Sequence, residues 1–265
     1  MTEHEHLMYQ VLGKISETDA PIVFKGALIS KLILAEHGFT QLERSTTDID
    51  ANWVDTPPSM SYLVNTIQQS LGNMRDQLYA VAIRDYEEKK SAGISIRTKN
   101  MDKEIMSMDI SIKPVIGIKV YYYGEIGIKG VFVNEILADK ITILSKKLVF
   151  RRAKDLLDVY ALTHCISVIT TEIFEIMQSK RLELGEFTEF LTRQNDVEHA
   201  YKKLKGVENK PLFDDIYQYL TEFIYPFTQK DKMPRIWNKD NRNWDDINRT
   251  IEKPSIRDQL RSVRL

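Results

Sequence analysis

Cysteine is almost absent from this sequence, and so are long apolar stretches. Cys165 is the one cysteine among 265 residues, which excludes an internal disulfide framework and a cysteine-based zinc site. No apolar run reaches the roughly 18 residues that a membrane-spanning helix needs. The N-terminal segment MTEHEHLMYQ is polar and acidic, unlike a secretory signal peptide. These absences predict a cytoplasmic protein with no membrane partner, because a reducing cytosol keeps thiols unpaired.

The chain also lacks an excess of charge of either sign. Its 37 Lys and Arg residues nearly balance its 38 Asp and Glu residues, for a formal net charge of -1. Such a chain does not bind nucleic acid through its overall charge, so any contact with RNA requires a local basic patch. Hydrophobic residues make up 43% of the sequence, which is enough for a sizeable core in one large domain or two smaller ones.

The character of the sequence changes near residue 133. Before that point, DIDANW, AGISIRTK and EIMSMDISIK read as strands, and the last two alternate apolar and polar residues. Beyond it, helical periodicity prevails, as in NEILADKITILSKK and FRRAKDLLDVYALTHC. We therefore predict an α+β core over residues 1–133 and a helical domain over residues 134–265. The helical domain would end in a basic tail from residue 229 onward.

Two aspartates one residue apart, Asp48 and Asp50, open the predicted strand DIDANW. Both carboxylates point to one side, because alternate side chains of a strand share a face. Adjacent carboxylates repel each other, and a divalent cation between them relieves that repulsion. Asp109 lies on the polar face of the strand EIMSMDISIK. If the two strands are neighbours, the three carboxylates converge and could hold Mg²⁺ (or Mn²⁺) ions that bind phosphate oxygens. An Asp-x-Asp pair also occurs by chance on exposed strands, so the residues alone leave a structural role open.

Three charged residues of the helical half also allow two interpretations. Lys140 borders the apolar stripe of its predicted helix, where a lysine either extends to solvent or approaches a negative group. Asp155 and Asp158 could form surface ion pairs with Arg151 and Lys154, each four residues earlier on a solvated helix. Alternatively, one aspartate orients Lys140 or an arginine, or accepts a proton from a substrate hydroxyl.

Five motifs follow one another in a fixed order: FKGALISKLIL, RSTTDIDANW, MDISIK, ILADKITILS and RRAKDLLDVYAL. Over about residues 20–165 this sequence resembles the AbiEii-type nucleotidyltransferase family, within the polymerase-β-like nucleotidyltransferase superfamily. The resemblance implies an α+β fold, in which a polymerase-β-like core with a mixed sheet precedes a C-terminal helical domain. It also implies an enzyme that moves a nucleoside monophosphate from an NTP to a hydroxyl of a macromolecule and releases pyrophosphate.

The resemblance assigns roles to individual residues of the core. Asp48 and Asp50 match the family's metal-binding pair, and Asp109 matches the third carboxylate of the superfamily. Thr46 matches a position where the family often has serine. Lys140 matches a helical lysine that the family uses near the triphosphate. The resemblance thus implies catalytic roles for all of these residues except Thr46, which would bind the nucleotide.

Two further motifs carry implied roles. Arg152, Asp155 and Asp158 match the R-x-K-D-x-x-D segment of the family, the aspartates as catalytic residues and the arginine as a nucleotide contact. The segment Lys25-Gly26-Ala27-Leu28 stands where the superfamily usually has Gly-Ser and this family often has Gly-Gly-Thr. Gly26 could still let a phosphate approach the backbone at a helix start. The usual hydroxyl is missing, and we expect Ser30 or Thr46 to replace it.

The resemblance implies a biological setting as well. Family members often act as toxins of bacterial toxin–antitoxin or phage-defence pairs, so we expect an antitoxin partner, and RNA (the 3′ end of tRNA) or a protein as acceptor. Two other functions stay open. Glycosyltransferases also use Asp-x-Asp to hold a metal and a nucleotide sugar, and a non-catalytic member of the fold could bind a nucleotide or a partner protein.

Overall fold

The computed structural model describes residues 3–42, 44, 46–86, 91–207 and 209–247. The chain divides into two units, the first formed by residues 1–136 with 205–210 and the second by residues 137–204 with those from 211 onward. The α+β fold class and the mixed sheet that the sequence predicts are confirmed. The assignment of a catalytic core to residues 1–133 and of a helical domain to residues 134–265 stays a prediction.

The first unit combines helices and strands, whereas the second unit is mostly helical. The first unit contains α1 (Glu3–Ser16), β1 (Ile22–Lys25), α2 (Gly26–Glu36), β2 (Asp48–Trp53), α3 (Met60–Ser70), β3 (Leu78–Arg84), β4 (Ser91–Thr98), β5 (Glu104–Ser111), β6 (Ile118–Tyr123) and β7 (Ile126–Val131). The units divide within α4 (Val133–Leu144), and the second continues with α5 (Ala153–Cys165), α6 (Thr170–Ser179), α7 (Thr188–Thr192), α8 (Gln194–Lys202), α9 (Phe213–Thr228), β8 (Arg235–Asn238) and β9 (Asn243–Asp246). None of the helices in the described ranges combines the length and the apolar composition that crossing a bilayer requires.

Within the described residues, seven strands form the sheet of the first unit, in the order β3-β4-β5-β2-β1-β7-β6. The β2–β5 and β1–β7 pairs are parallel, and the remaining neighbours are antiparallel. The interior strand β1 carries the apolar run Ile22, Val23 and Phe24, all fully or almost fully buried. A continuous apolar run is what a strand covered on both faces requires. Burial therefore fixes β1 in the interior of the sheet, whereas polar residues lie on β2, which is next to β1, and on β5, which is next to β2.

A buried ion pair joins α1 and α2 in the first unit. Lys31 Nζ of α2 donates to Glu5 Oε1 of α1 at 2.5 Å, and both side chains are less than a tenth exposed. Removal of two charges from water is costly, and their mutual attraction offsets this only in close geometry. The pair therefore fixes how these two helices of the first unit meet.

The second unit contains a hairpin that the sequence reading did not predict. Strands β8 and β9 pair Trp237 with Trp244, and both indoles donate hydrogen bonds to α9, Trp237 Nε1 to the Tyr219 hydroxyl at 2.8 Å and Trp244 Nε1 to the Phe223 carbonyl at 2.9 Å. The predicted basic tail from residue 229 thus begins as an ordered hairpin packed on a helix. Its part beyond residue 247 lies outside the described residues.

We expect Glu5→Ala to destabilise the protein, because Lys31 then stays buried without this carboxylate. Loss of one member of a buried pair typically costs about 3–5 kcal/mol. The double variant Glu5→Leu, Lys31→Met should recover most of the loss, since neither charge remains to be compensated. Urea unfolding of the wild type, Glu5→Leu, Lys31→Met and the double variant measures the coupling free energy between the two residues. A loss of stability in the double variant equal to the sum of the two single losses would contradict this role of the pair.

Candidate active site

The predicted adjacency of the two aspartate-bearing strands is confirmed. In the parallel β2–β5 pair, Asp48 lies opposite Ser107 and Asp50 lies opposite Asp109. Residues paired across neighbouring strands present their side chains on the same face. Ser107 Oγ donates to Asp48 Oδ1 at 3.1 Å. The three aspartates therefore share one polar face of the sheet with Ser107. We call these four residues (Asp48, Asp50, Ser107 and Asp109) the carboxylate face.

Apolar residues on the opposite face hold the carboxylate face in place. Ile49 and Ala51 of β2 and Met108 and Ile110 of β5 are fully buried, and they alternate with the polar residues. Because a strand has a period of two, burial of the apolar set turns the aspartates outward. Asp48 and Asp109 are exposed, so both carboxylates are accessible from solvent.

Gly26 lies against the Asp50 carboxylate at the start of α2. Its φ of +73° is in the left-handed region, and a Cβ at this position would lie 2.3 Å from Asp50 Oδ2. The adjacent Lys25 is paired with Asp50 across β1 and β2, and its Nζ donates to Asn52 Oδ1 at 2.6 Å. The structure therefore requires glycine at position 26, for space and for backbone conformation. It also brings the Lys25 ammonium to the Asn52 amide of β2.

The hydroxyls proposed to replace the missing serine contact local backbone. Thr46 Oγ1 donates to the Asp48 carbonyl at 3.4 Å, just ahead of β2. Ser30 Oγ donates to the Gly26 carbonyl at 3.0 Å, one turn earlier in α2. The nucleotide contacts expected of Lys25, Gly26 and Thr46 stay predictions.

Arg84 is a residue of this face that the sequence reading missed. Its guanidinium forms an ion pair with Asp109, and it also donates to the Ser91 carbonyl at 3.1 Å and to Ser91 Oγ at 2.9 Å. An arginine at the end of a strand has no periodic signal that points to a partner 25 residues later. Strand pairing places Gly93 of β4 between Arg84 and Asp109, which the sequence alone does not reveal.

The carboxylate face has the oxygen ligands that a metal site needs, but its side chains do not converge on one point. Carboxylate oxygens on adjacent strands, with the Gly26 backbone close to Asp50, suit a hard cation such as Mg²⁺. Among the described residues, however, no three His, Cys, Asp or Glu side chains are close enough to one another to form a metal site. Asp109 instead meets Arg84. The metal role of Asp48, Asp50 and Asp109 therefore stays a prediction.

A second cluster of predicted residues lies inside the second unit. Lys140 Nζ of α4 donates to Asp155 Oδ1 at 2.9 Å and to Asp158 Oδ2 at 2.5 Å, both on α5. Arg152 Nε donates to the other oxygen of Asp155 at 2.7 Å. Lys140 and both aspartates are at most 7% exposed, so the surface-pair interpretation of a solvated helix is wrong. We call these four residues the lysine–aspartate cluster.

The two aspartates determine the charge state of Lys140. Burial alone would lower its pKa, but Asp158 and Asp155 outweigh that effect and hold the pKa of Lys140 above its ordinary value. Its ammonium is thus a permanent positive charge at physiological pH. A direct contact of Lys140 or Arg152 with a triphosphate, and catalytic roles for Asp155 and Asp158, stay predictions.

The chain matches the family model described as nucleotidyl transferase AbiEii toxin, type IV toxin–antitoxin system, over residues 10–233. It belongs to this family. The match confirms the resemblance and extends it well beyond residues 20–165. It also favours nucleotidyl transfer over a glycosyltransferase that uses the same Asp-x-Asp motif.

Comparison with curated proteins gives no significant match. Two solved structures are similar to this chain. The crystal structure of JHP933 from Helicobacter pylori has 16% sequence identity, covers 87% of this chain and 95% of its own, and gives a TM-score of 0.49. MenT4, a nucleotidyltransferase toxin from Mycobacterium tuberculosis H37Rv, has 13% identity, covers 86% of this chain and 90% of its own, and gives a TM-score of 0.43. The family membership rests on the family match.

We expect Gly26→Ala to destabilise the protein more than Gly38→Ala. Both glycines have φ +73°, so both variants lose about 1–2 kcal/mol to the left-handed backbone. Gly38 has nothing within 4 Å of an added Cβ, whereas Gly26 has the Asp50 carboxylate. Equilibrium unfolding in urea gives both losses. Their difference measures the close approach to Asp50, and equal losses would show that position 26 needs glycine for its φ alone.

Lys140→Met should destabilise the protein strongly, because it leaves two carboxylates buried without the ammonium. The expected loss is about 3–5 kcal/mol, and the exposed Lys147→Met serves as control with little change. Urea unfolding near pH 8 tests both variants.

The same comparison has a defined pH dependence. A raised pKa in the folded state means that the stabilisation by Lys140 is complete below the unfolded-state value of about 10.4 and is lost as the pH rises through the folded-state value. The difference between wild type and Lys140→Met should therefore be constant from about pH 7 to 9 and should shrink above about pH 10.5. A difference that grows with alkaline pH would contradict this account.

Proposed function

We propose that this AbiEii-family protein is a Mg²⁺- or Mn²⁺-dependent nucleotidyltransferase. An acceptor hydroxyl oxygen attacks the α-phosphorus of an NTP, the bond from that phosphorus to the bridging oxygen breaks, and pyrophosphate leaves. The observation that carries this proposal is the register of β2 and β5. It puts Asp50 beside Asp109, with Asp48 two residues earlier in β2 on the same face. The family match independently supports a transferase of this class.

Each residue of the carboxylate face has a proposed task. Asp48 and Asp50 hold the divalent cation, which when bound neutralises charge on the phosphates. Asp109 completes the set and accepts the proton of the attacking hydroxyl. Gly26, at the start of α2, is proposed to let a phosphate approach the backbone N–H groups of the helix. Most of the rate enhancement then comes from positioning and electrostatics, as in phosphoryl transfer generally.

The triphosphate needs positive charge as well as metal. Lys25, whose Nζ hydrogen-bonds Asn52 on β2, and Thr46, just ahead of β2, are the proposed nucleotide contacts of the first unit. Lys140 and Arg152 are proposed for the same task because they match the family motif. Asp155 and Asp158 orient Lys140 through the contacts described above.

The acceptor is proposed to be a macromolecule, RNA such as the 3′ end of tRNA, or else a protein. The family description, a toxin of a type IV toxin–antitoxin system, supports a cellular role as a toxin with a cognate antitoxin as partner. A role in phage defence is proposed from the family resemblance alone. The net charge of -1 supports recognition through a local patch rather than through the whole surface.

Incubation with each of the four α-³²P-labelled NTPs, Mg²⁺ and either total tRNA or lysate should label one macromolecule. Asp48→Asn and Asp50→Asn should reduce label transfer at least about a hundredfold, because metal-borne charge stabilisation is worth several kcal/mol. Asp55→Asn, an exposed carboxylate two residues beyond β2, is the matched control and should retain activity.

Two results would contradict the proposal. Equal transfer by the wild type and by the Asp48 and Asp50 variants would show that these carboxylates take no part. A wild type that labels no acceptor with any NTP, although it is folded, would favour a non-catalytic member that binds a nucleotide or a partner protein.

A further inference from the structure

Arg84 reaches Asp109 by crossing an intervening strand. It lies at the end of β3 and is paired with Gly93 of β4, which in turn is paired with Asp109 of β5. A register shift between Ala82 and Arg84 inserts one extra residue, so Arg84 occupies the position that Ile83 would otherwise take. Such bulges redirect side chains, and they are frequent beside active sites.

Gly93 leaves the path between the two charges open. A Cβ there would lie 3.2 Å from the Cβ of Arg84 and 3.1 Å from the Ile83 side chain. The backbone of Gly93 is not in the left-handed region, so its conformation does not require glycine. The missing side chain therefore provides space on the side of the strand that both Ile83 and Arg84 approach.

Ser91 fixes the direction of the guanidinium. Arg84 donates from Nε to the Ser91 carbonyl and from Nη2 to Ser91 Oγ, and Nη2 also reaches Asp109 Oδ1. The side chains of Arg84 and Asp109 are 46% and 52% exposed. An exposed ion pair contributes little to stability. Stability is therefore a weak reason for a bulge, a glycine and a serine to converge on this one contact.

We propose that Arg84 competes with the divalent cation for Asp109. The guanidinium holds the third carboxylate of the face in the metal-free protein, and the cation must displace Arg84 before Asp109 can bind it. This inference rests on the proposed function and adds a positioning residue to the same site. It follows that the wild type binds metal more weakly than its three carboxylates alone would.

The test is the affinity for Mn²⁺ in the absence of nucleotide, measured from the electron paramagnetic resonance signal of the free ion. Arg84→Gln should bind Mn²⁺ about fivefold more tightly than the wild type, the size of an exposed arginine–carboxylate pair. Arg84→Lys, which keeps the charge but loses the planar fork, should fall between the two. In an Asp109→Asn background, Arg84→Gln should give no further tightening.

Arg97→Gln is the matched control. It removes the same charge from the same hairpin and breaks the Arg97–Asp102 pair. Its Mn²⁺ affinity should equal that of the wild type. Thermal unfolding of each variant checks that the fold is retained.

The outcomes separate this inference from the proposed function. Unchanged or weaker Mn²⁺ binding by Arg84→Gln overturns the competition, while loss of Mn²⁺ binding in Asp48→Asn still supports the metal site. Tightening that persists without Asp109, or that Arg97→Gln reproduces, is a general charge effect and also overturns it. If neither the wild type nor Arg84→Gln binds Mn²⁺, the metal site and the competition fall together.

Discussion

The in-register parallel pairing of β2 with β5 is the constraint on which the rest of the candidate site depends. A slip of β5 by one residue along β2 would turn Asp109 toward the core and bring Met108 to the polar face. Burial of a carboxylate costs far more than exposure of an aliphatic side chain, so the apolar face determines the register. The geometry of the carboxylate face is thus a consequence of core packing, and it needs no ligand to form.

The two clusters of charge in this protein differ in how readily their partners can be exchanged. In the lysine–aspartate cluster, Lys140, Asp155 and Asp158 are buried, and removal of the Lys140 ammonium leaves two desolvated carboxylates. Arg152, which pairs with Asp155, is partly exposed. On the carboxylate face, Asp48 and Asp109 are exposed, and water can replace each contact at small cost. Exchange of partners is therefore easy where the metal is proposed and difficult around Lys140. This difference is a reason to propose the carboxylate face as the cation site and the lysine–aspartate cluster as the group that orients Lys140.

Much of this arrangement could be predicted from local patterns. Alternation in EIMSMDISIK placed Asp109 on a polar face, and the order of the motifs identified the family. The contact made by Arg84 could not be predicted, because it depends on a bulge that shifts the pairing by one residue. The choice between a surface and a buried role for Asp155 and Asp158 stayed open for a related reason, since a helix pattern assigns aspartates to solvent unless another helix supplies a cation. Strands β8 and β9 gave no strand pattern in the sequence, because each is four residues long and largely polar. They are held on α9 by the hydrogen bonds of the Trp237 and Trp244 indoles.

The Lys-Gly-Ala segment departs from the family pattern in a way that the structure makes specific. The glycine that matters for space is present, since Gly26 has the left-handed φ and the close approach to Asp50. What is absent is a hydroxyl at Ala27, a side chain that is itself buried. Ser30 and Thr46 both donate to backbone carbonyls, so either would have to give up a local hydrogen bond to contact a phosphate. The departure therefore removes a hydroxyl from position 27 and keeps the glycine that the close approach to Asp50 requires.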